Sequence, residues 1–110
     1  MKFTKLIVLN LPTMSLVTHK DITRKEASEL NFSSVEVLGE KRLVKDRFRQ
    51  IHRATYLGNI MQTKVKIFFN AKEGQFHLCT TIWLHYGGNV YLKGGIRIPV
   101  CAIERIEFCG

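Results

Sequence analysis

At 110 residues the chain can bury one hydrophobic core without metals or disulfides but is too short for two, which excludes a multidomain reading. Seventeen Lys and Arg against nine Asp and Glu give a formal net charge of +8, a balance that favours anionic partners such as nucleic acid or an acidic protein. Three cysteines, Cys79, Cys101 and Cys109, are an odd count with no C-x-x-C spacing in a chain able to form its own core, which argues for reduced thiols in a cytoplasm.

The opening residues, MKFTKLIVLNLPTMSLVT, imitate a secretory signal because Lys2 and Lys5 precede an apolar run. Asn10 and Pro12 interrupt that run, no small-x-small cleavage site follows, and it is too short to span a bilayer. Residues 1–20 are therefore expected to form an apolar arm or an added strand, Phe3 to Leu9, and no membrane association is expected. Residues 21–59 read as a helical segment. Thr23 and Glu26 have the spacing of a capping box, and Ile22 is placed to pack on Ala27, so a short helix is expected from Arg24 to Leu30. Val35 and Val37 alternate with polar residues in Ser34 to Leu38, a short strand pattern closed by Gly39. The stretch ITRKEASELNFS also resembles the opening of excisionase-type helix-turn-helix proteins, which implies a second helix soon after it; Gly39 and the two valines oppose that reading.

From Lys41 to Leu57 no glycine or proline interrupts the sequence, and Gly58 and Asn59 supply a stop. At about 100° per residue, Val44, Phe48, Ile51 and Thr55 share one side, bordered by Leu43 and Ala54. Arg42, Lys45, Arg49, His52 and Arg53 fall on a separate arc. The helix is thus expected to pack Phe48 and Ile51 inward and to present a cationic ridge.

Residues 60–108 read as strands. Val65, Ile67 and Phe69 alternate with Lys64, Lys66 and Phe68, and Ala71 to Gly74 makes a hairpin. Gln75 to Tyr86 contains no breaker. Phe76, Leu78, Thr80, Ile82, Leu84 and Tyr86 are expected on one side of it and His77, Cys79, Thr81, Trp83 and His85 on the other. A run of this length bends across two sheets in small barrels. Glycine pairs at Gly87–Gly88 and Gly94–Gly95 separate the strands Asn89 to Lys93 and Ile96 to Val100, and Pro99 must lie on an edge or at a strand end. Ile103 to Phe108 is the last strand. The expected fold is mainly β with helices (α+β): a five-stranded antiparallel barrel preceded by a short helix and a basic amphipathic helix.

The long second strand, the two short hairpins, and Ile98, Pro99 and Ile103 followed by Ile106 and Phe108 resemble the small-barrel fold of Src-homology-3-like and Sm-like domains. YLGN, TTIW and LKGGIRIP, over Tyr56 to Phe108, are similar to a group of short bacterial proteins, a similarity that implies no activity. The small-barrel class implies binding to RNA, DNA, peptides or its own copies, not catalysis. The chain departs from Sm-like domains in having no recognisable uridine-binding motif. It departs from proline-peptide binders in lacking an acidic loop and an aromatic ladder.

Candidate chemistry is sparse. His77, Cys79 and His85 share a face, yet His77 and His85 would be about 26 Å apart on a straight strand, too far for one metal. Cys79 has neither a helix N-terminus nor a glycine nest beside it to support a nucleophile, and Cys101 and Cys109 read as small hydrophobes. The glycine pairs open no helix and precede no G-K-[ST], so they are turns and not phosphate cradles. No cofactor, metal or catalytic residue is expected. The leading expectation is a noncatalytic binding or assembly module acting through a protein partner or self-association into a homo-oligomer, with Phe68, Trp83 and Tyr91 as protein-contact or stacking residues. The alternative is nucleic-acid binding through Arg42, Lys45, Arg49, His52 and Arg53 on the phosphate backbone.

Overall fold

The computed structural model describes residues 19–109, so the expected strand Phe3 to Leu9 lies outside the described residues. In chain order the elements are β1 (Lys20–Asp21), α1 (Arg24–Ala27), α2 (Lys41–Met61), β2 (Val65–Ala71), β3 (Gly74–Thr80), β4 (Ile82–Tyr86), β5 (Asn89–Leu92), β6 (Arg97–Pro99), a 3-10 turn (Val100–Ala102) and β7 (Ile103–Phe108). The strands form a four-stranded sheet in the order β1-β3-β2-β7 and a three-stranded sheet in the order β4-β5-β6. All neighbours are antiparallel except β1 and β3. The fold is α+β with one long helix. Only Thr81 separates β3 from β4, so the run without breakers feeds both sheets, but no ladder among the described residues closes them into a barrel.

Alternation of apolar side chains builds one core. Val65, Ile67 and Phe69 of β2, Leu78 of β3, Val90 and Leu92 of β5, Ile98 of β6 and Ile103 of β7 are fully buried or nearly so. Each such aliphatic side chain contributes about 1.5–3 kcal/mol through its removal from water. Two bulges shift the alternation. On β7 the partners of Phe68 and Phe69 are Arg105 and Ile103, so one extra residue lets Ile103 and Ile106, three apart, both face inward. On β4, Ile82 pairs with Leu92 but Leu84 with Tyr91. Beyond that bulge Trp83 and His85 become the half-buried positions, while Leu84 and Tyr86, expected on the same side as the buried Ile82, are exposed.

The capping box forms as its spacing predicts. Thr23 Oγ1 accepts from the Glu26 amide at 3.2 Å, and the Thr23 amide donates to Glu26 Oε1 at 2.9 Å. Ile22 and Ala27 both enter the core. The helix ends at Ala27, earlier than expected, and Asn31 is instead tied to the β2–β3 hairpin, its amide and side chain donating to the Glu73 carboxylate at 3.1 and 2.8 Å. Residues 28–40 separate the two helices, a span no helix-turn-helix turn has.

Ser34 to Leu38 is not a strand: Val35 is exposed, and Glu36 is drawn toward α2 by Arg47. The expected helix stop at Gly58 and Asn59 also fails. α2 continues to Met61 and ends at Gln62, whose φ of 53° is the left-handed cap. Gly58 faces the sheet, where a Cβ would lie 2.4 Å from the Ile82 carbonyl oxygen and 3.0 Å from Thr81 Cγ2. Its missing side chain lets the helix sit against β4, which is a packing role and not a terminating one.

Candidate interface on the long helix

The inner side of α2 is fixed by Arg47, Ile51, Ala54 and Gly58, the residues it buries. Their spacing of three or four residues keeps them on one face. Arg47, only 4 % exposed, donates through both terminal nitrogens to Glu36, at 2.7 and 2.6 Å, and to the Ile103 carbonyl at 2.9 Å. These bonds to Arg47 are the main reason the Glu36 carboxyl is held below its ordinary value, and they outweigh the opposing effect of its partial burial. Gln50 Oε1 accepts the Ile106 amide at 2.9 Å, occupying a donor on the edge strand β7. Asn59 donates to the Trp83 carbonyl at 2.9 Å. The helix is therefore anchored along its length to β4 and β7, and its opposite side has a fixed orientation.

That opposite side is not purely cationic. Phe48, on its flank, is 58 % exposed, Tyr56 62 % and Ile60 57 %. Phe48, expected to pack inward beside Ile51, instead stacks on His52 at 6.4 Å and meets the His85 ring edge-on at 5.7 Å. At about 100° per residue, Lys45, Arg49, His52, Tyr56 and Ile60 fall within roughly a quarter of a turn. Aromatic, aliphatic and basic groups are thus interleaved on one arc. It reaches β4 through Phe48 and His85 on one flank and β7 on the other, where the Arg53 guanidinium lies 5.1 Å from the Phe108 ring centre.

Carboxylates partly offset the basic charge. Arg42 pairs with Glu40 at 3.3 Å and with Asp46 at 3.8 Å, and Arg49 pairs with Asp46 at 3.0 Å. These exposed pairs add about 0–1 kcal/mol each to stability, but they reduce the positive potential along the arc. Among the described residues, Lys45, His52 and Arg53 have no carboxylate partner.

The three aromatic residues expected at a contact surface lie in different places. Phe68 is 7 % exposed, covered by the Arg105 guanidinium 3.8 Å above its ring and by the rings of His19 at 5.1 Å and His77 at 5.3 Å, so it offers no free face. Trp83 is half-buried on β4, and Tyr91 lines a separate groove of about 470 Å³ with Phe32 and the Gly94–Arg97 turn. Arg42, Lys45, Arg49, His52 and Arg53 lie along one side of α2, apart from these three aromatic residues. Tyr56 and Ile60 were not singled out from the sequence, although their place on the cationic arc is a helical-period signal. His77 contacts Phe68 and Asp21, whereas His85 contacts Phe48; no three metal-capable side chains converge among the described residues. Cys109, expected to pack as a small hydrophobe, is exposed.

Compared with known proteins, the chain matches no family model, no curated protein and no solved structure. No helix among the described residues is long and apolar enough to cross a membrane.

Proposed function

We propose that the protein is a noncatalytic binding module that docks an acidic protein partner on the outer arc of α2. The observation that carries this reading is the mixture on the arc: Phe48, Tyr56 and Ile60 stand exposed beside Lys45, His52 and Arg53. Large apolar groups at these exposures are worth most when a partner covers them, and the unpaired Lys45 and Arg53 beside them favour a partner with carboxylates at its rim. The net charge of +8 disfavours a second copy in that role because like charges would meet. A reducing, cytoplasmic setting is supported by three cysteines in the thiol form.

Nucleic-acid binding is the second reading, favoured by Lys45, His52 and Arg53 beside the exposed Tyr56 ring. It ranks below protein docking because Asp46 already engages Arg42 and Arg49, and because Ile60 offers little to a phosphate backbone. A salt series with random RNA and DNA separates the two. Phosphate binding gives an affinity that falls linearly with salt in log-log form, with a slope reduced in Lys45→Ala and Arg53→Ala variants; protein docking predicts no such binding.

For the scaffold we favour a small five-stranded barrel of the Src-homology-3-like or Sm-like kind, built from β2, the continuous β3–β4 run, β5, β6 and β7. This is supported by the single-residue junction at Thr81 and by the 3-10 turn that returns β7 to pair with β2.

A further inference from the structure

β2 lies between β3 and β7, and at one end of it two cysteines from these flanking strands approach each other. Cys79 lies opposite Lys66 in the β2–β3 ladder, and Cys109, just past the end of β7, donates its amide to the Lys64 carbonyl at 3.4 Å. Their Sγ atoms are 3.5 Å apart, and both thiols are free and exposed. The third cysteine is elsewhere: Cys101 is half-buried with its sulfur 3.5 Å from the Ser33 carbonyl.

We infer that Cys79 and Cys109 are a reversible thiol–disulfide pair, oxidised by small-molecule disulfides of the glutathione class. The sulfurs must close from 3.5 Å to the bonded separation of about 2.05 Å. Because β2 separates β3 from β7, closing this gap of about 1.5 Å also requires the backbone at Cys109 to swing toward β3, a movement open to it because Cys109 lies beyond the last residue of β7 and its backbone bond to Lys64 is long. Partial desolvation, then the bond to Cys79 and its charge, push the Cys109 thiol upward, while Lys66 and Lys64 pull it down.

In the reaction, one thiolate of the pair, its proton released to solvent, attacks a sulfur of glutathione disulfide. The small disulfide bond breaks, one glutathione thiolate leaves, and a mixed disulfide forms. The second cysteine, also deprotonated, attacks the protein sulfur of that mixed disulfide and expels the other glutathione thiolate. The protein has lost two thiol protons and two electrons, and one small disulfide has become two thiols. The bond ties the edge strand β7 to β3 across β2, at the residue that follows Phe108, whose ring contacts Arg53. It does not depend on what the α2 arc binds.

The test equilibrates the reduced full-length chain in glutathione buffers graded from thiol to disulfide, followed by alkylation, intact mass and non-reducing peptide mapping. The expected result is the joint loss of two of the three thiols in one transition, with a Cys79–Cys109 linked peptide from monomeric protein. Cys101→Ser leaves that transition unchanged. Cys79→Ser and Cys109→Ser each accumulate a glutathione adduct on the remaining partner, which has no thiol to resolve it. Independent titration of all three thiols, linkage to Cys101, or linkage between chains would overturn the assignment.

Discussion

Gly58 and Ile82 set the distance between the long helix and the second sheet: a Cβ on the glycine would lie 2.4 Å from the Ile82 carbonyl oxygen. Because that neighbour is backbone, the contact cannot be relieved by a rotamer change. Gly58→Ala should therefore push α2 away from β4. The strain of overpacking, about 1–3 kcal/mol, exceeds the gain of up to about 1 kcal/mol from better helix propensity. The expected outcome is a lower denaturant midpoint with an unchanged slope; a Gly58→Ala variant as stable as the wild type would show that the helix does not sit this close.

The Arg47–Glu36 pair fixes the irregular segment before α2. Arg47→Met leaves the Ile103 carbonyl without its donor and Glu36 without its partner; because Glu36 is partly hydrated, the loss should be about 1–3 kcal/mol. Acidification should weaken the same contact. Glu36 has a folded-state value below the ordinary 4.5, so as the pH falls past 4.5 the unfolded chain takes up a proton before the folded one does. The stabilisation is fully present above that range and is lost as the pH falls through the folded value. Glu26 and Glu73, lowered by their bonds to Thr23 and Asn31, act in the same direction. Urea midpoints between pH 6 and 3 should therefore fall less steeply in Glu36→Gln than in the wild type, without becoming flat.

Phe68 belongs to the interior despite its position on the outward face of β2. Phe68→Ala should cost about 3 kcal/mol, the low end for a buried phenylalanine because its covering side chains, Arg105, His19 and His77, can relax. Thermal unfolding followed by circular dichroism reads this directly. A change within about 0.5 kcal/mol would instead mark the ring as a surface group.

The contrast between Phe48 and Phe68 shows where the sequence was legible. Local rules held wherever the deciding partner was a few residues away. Thr23 and Glu26 closed the capping box, Val65, Ile67 and Phe69 alternated into the core, and Pro99 ended the edge strand β6. They failed where a distant group decided. Arg105 covers Phe68, Arg47 pulls Glu36 out of an apparent strand, and Ile82 turns Gly58 from a stop signal into a packing site. The β4 bulge reversed the expected sides of Trp83 and Leu84 because one inserted residue flips every side chain beyond it. On α2 the cationic arc followed from the helical period. The exposure of Phe48 did not, because the sheet is contacted by the side of the helix carrying Arg47, which a hydrophobic pattern assigns to water.

Phe48→Ser with Tyr56→Ser is the variant that isolates the proposed docking arc, since both side chains are mostly in water and their loss should change stability by no more than about 0.5 kcal/mol each. The most direct measurement is capture from nuclease-treated native lysate with the wild-type and doubly substituted chains. Affinity for the captured protein is then measured with purified components at several salt concentrations. The docking account predicts one acidic protein retained in stoichiometric amount, with affinity at least about tenfold weaker for the double variant, roughly 1.4 kcal/mol, and an unchanged melting curve. Equal affinity for both chains, or binding that vanishes with nuclease, would contradict it.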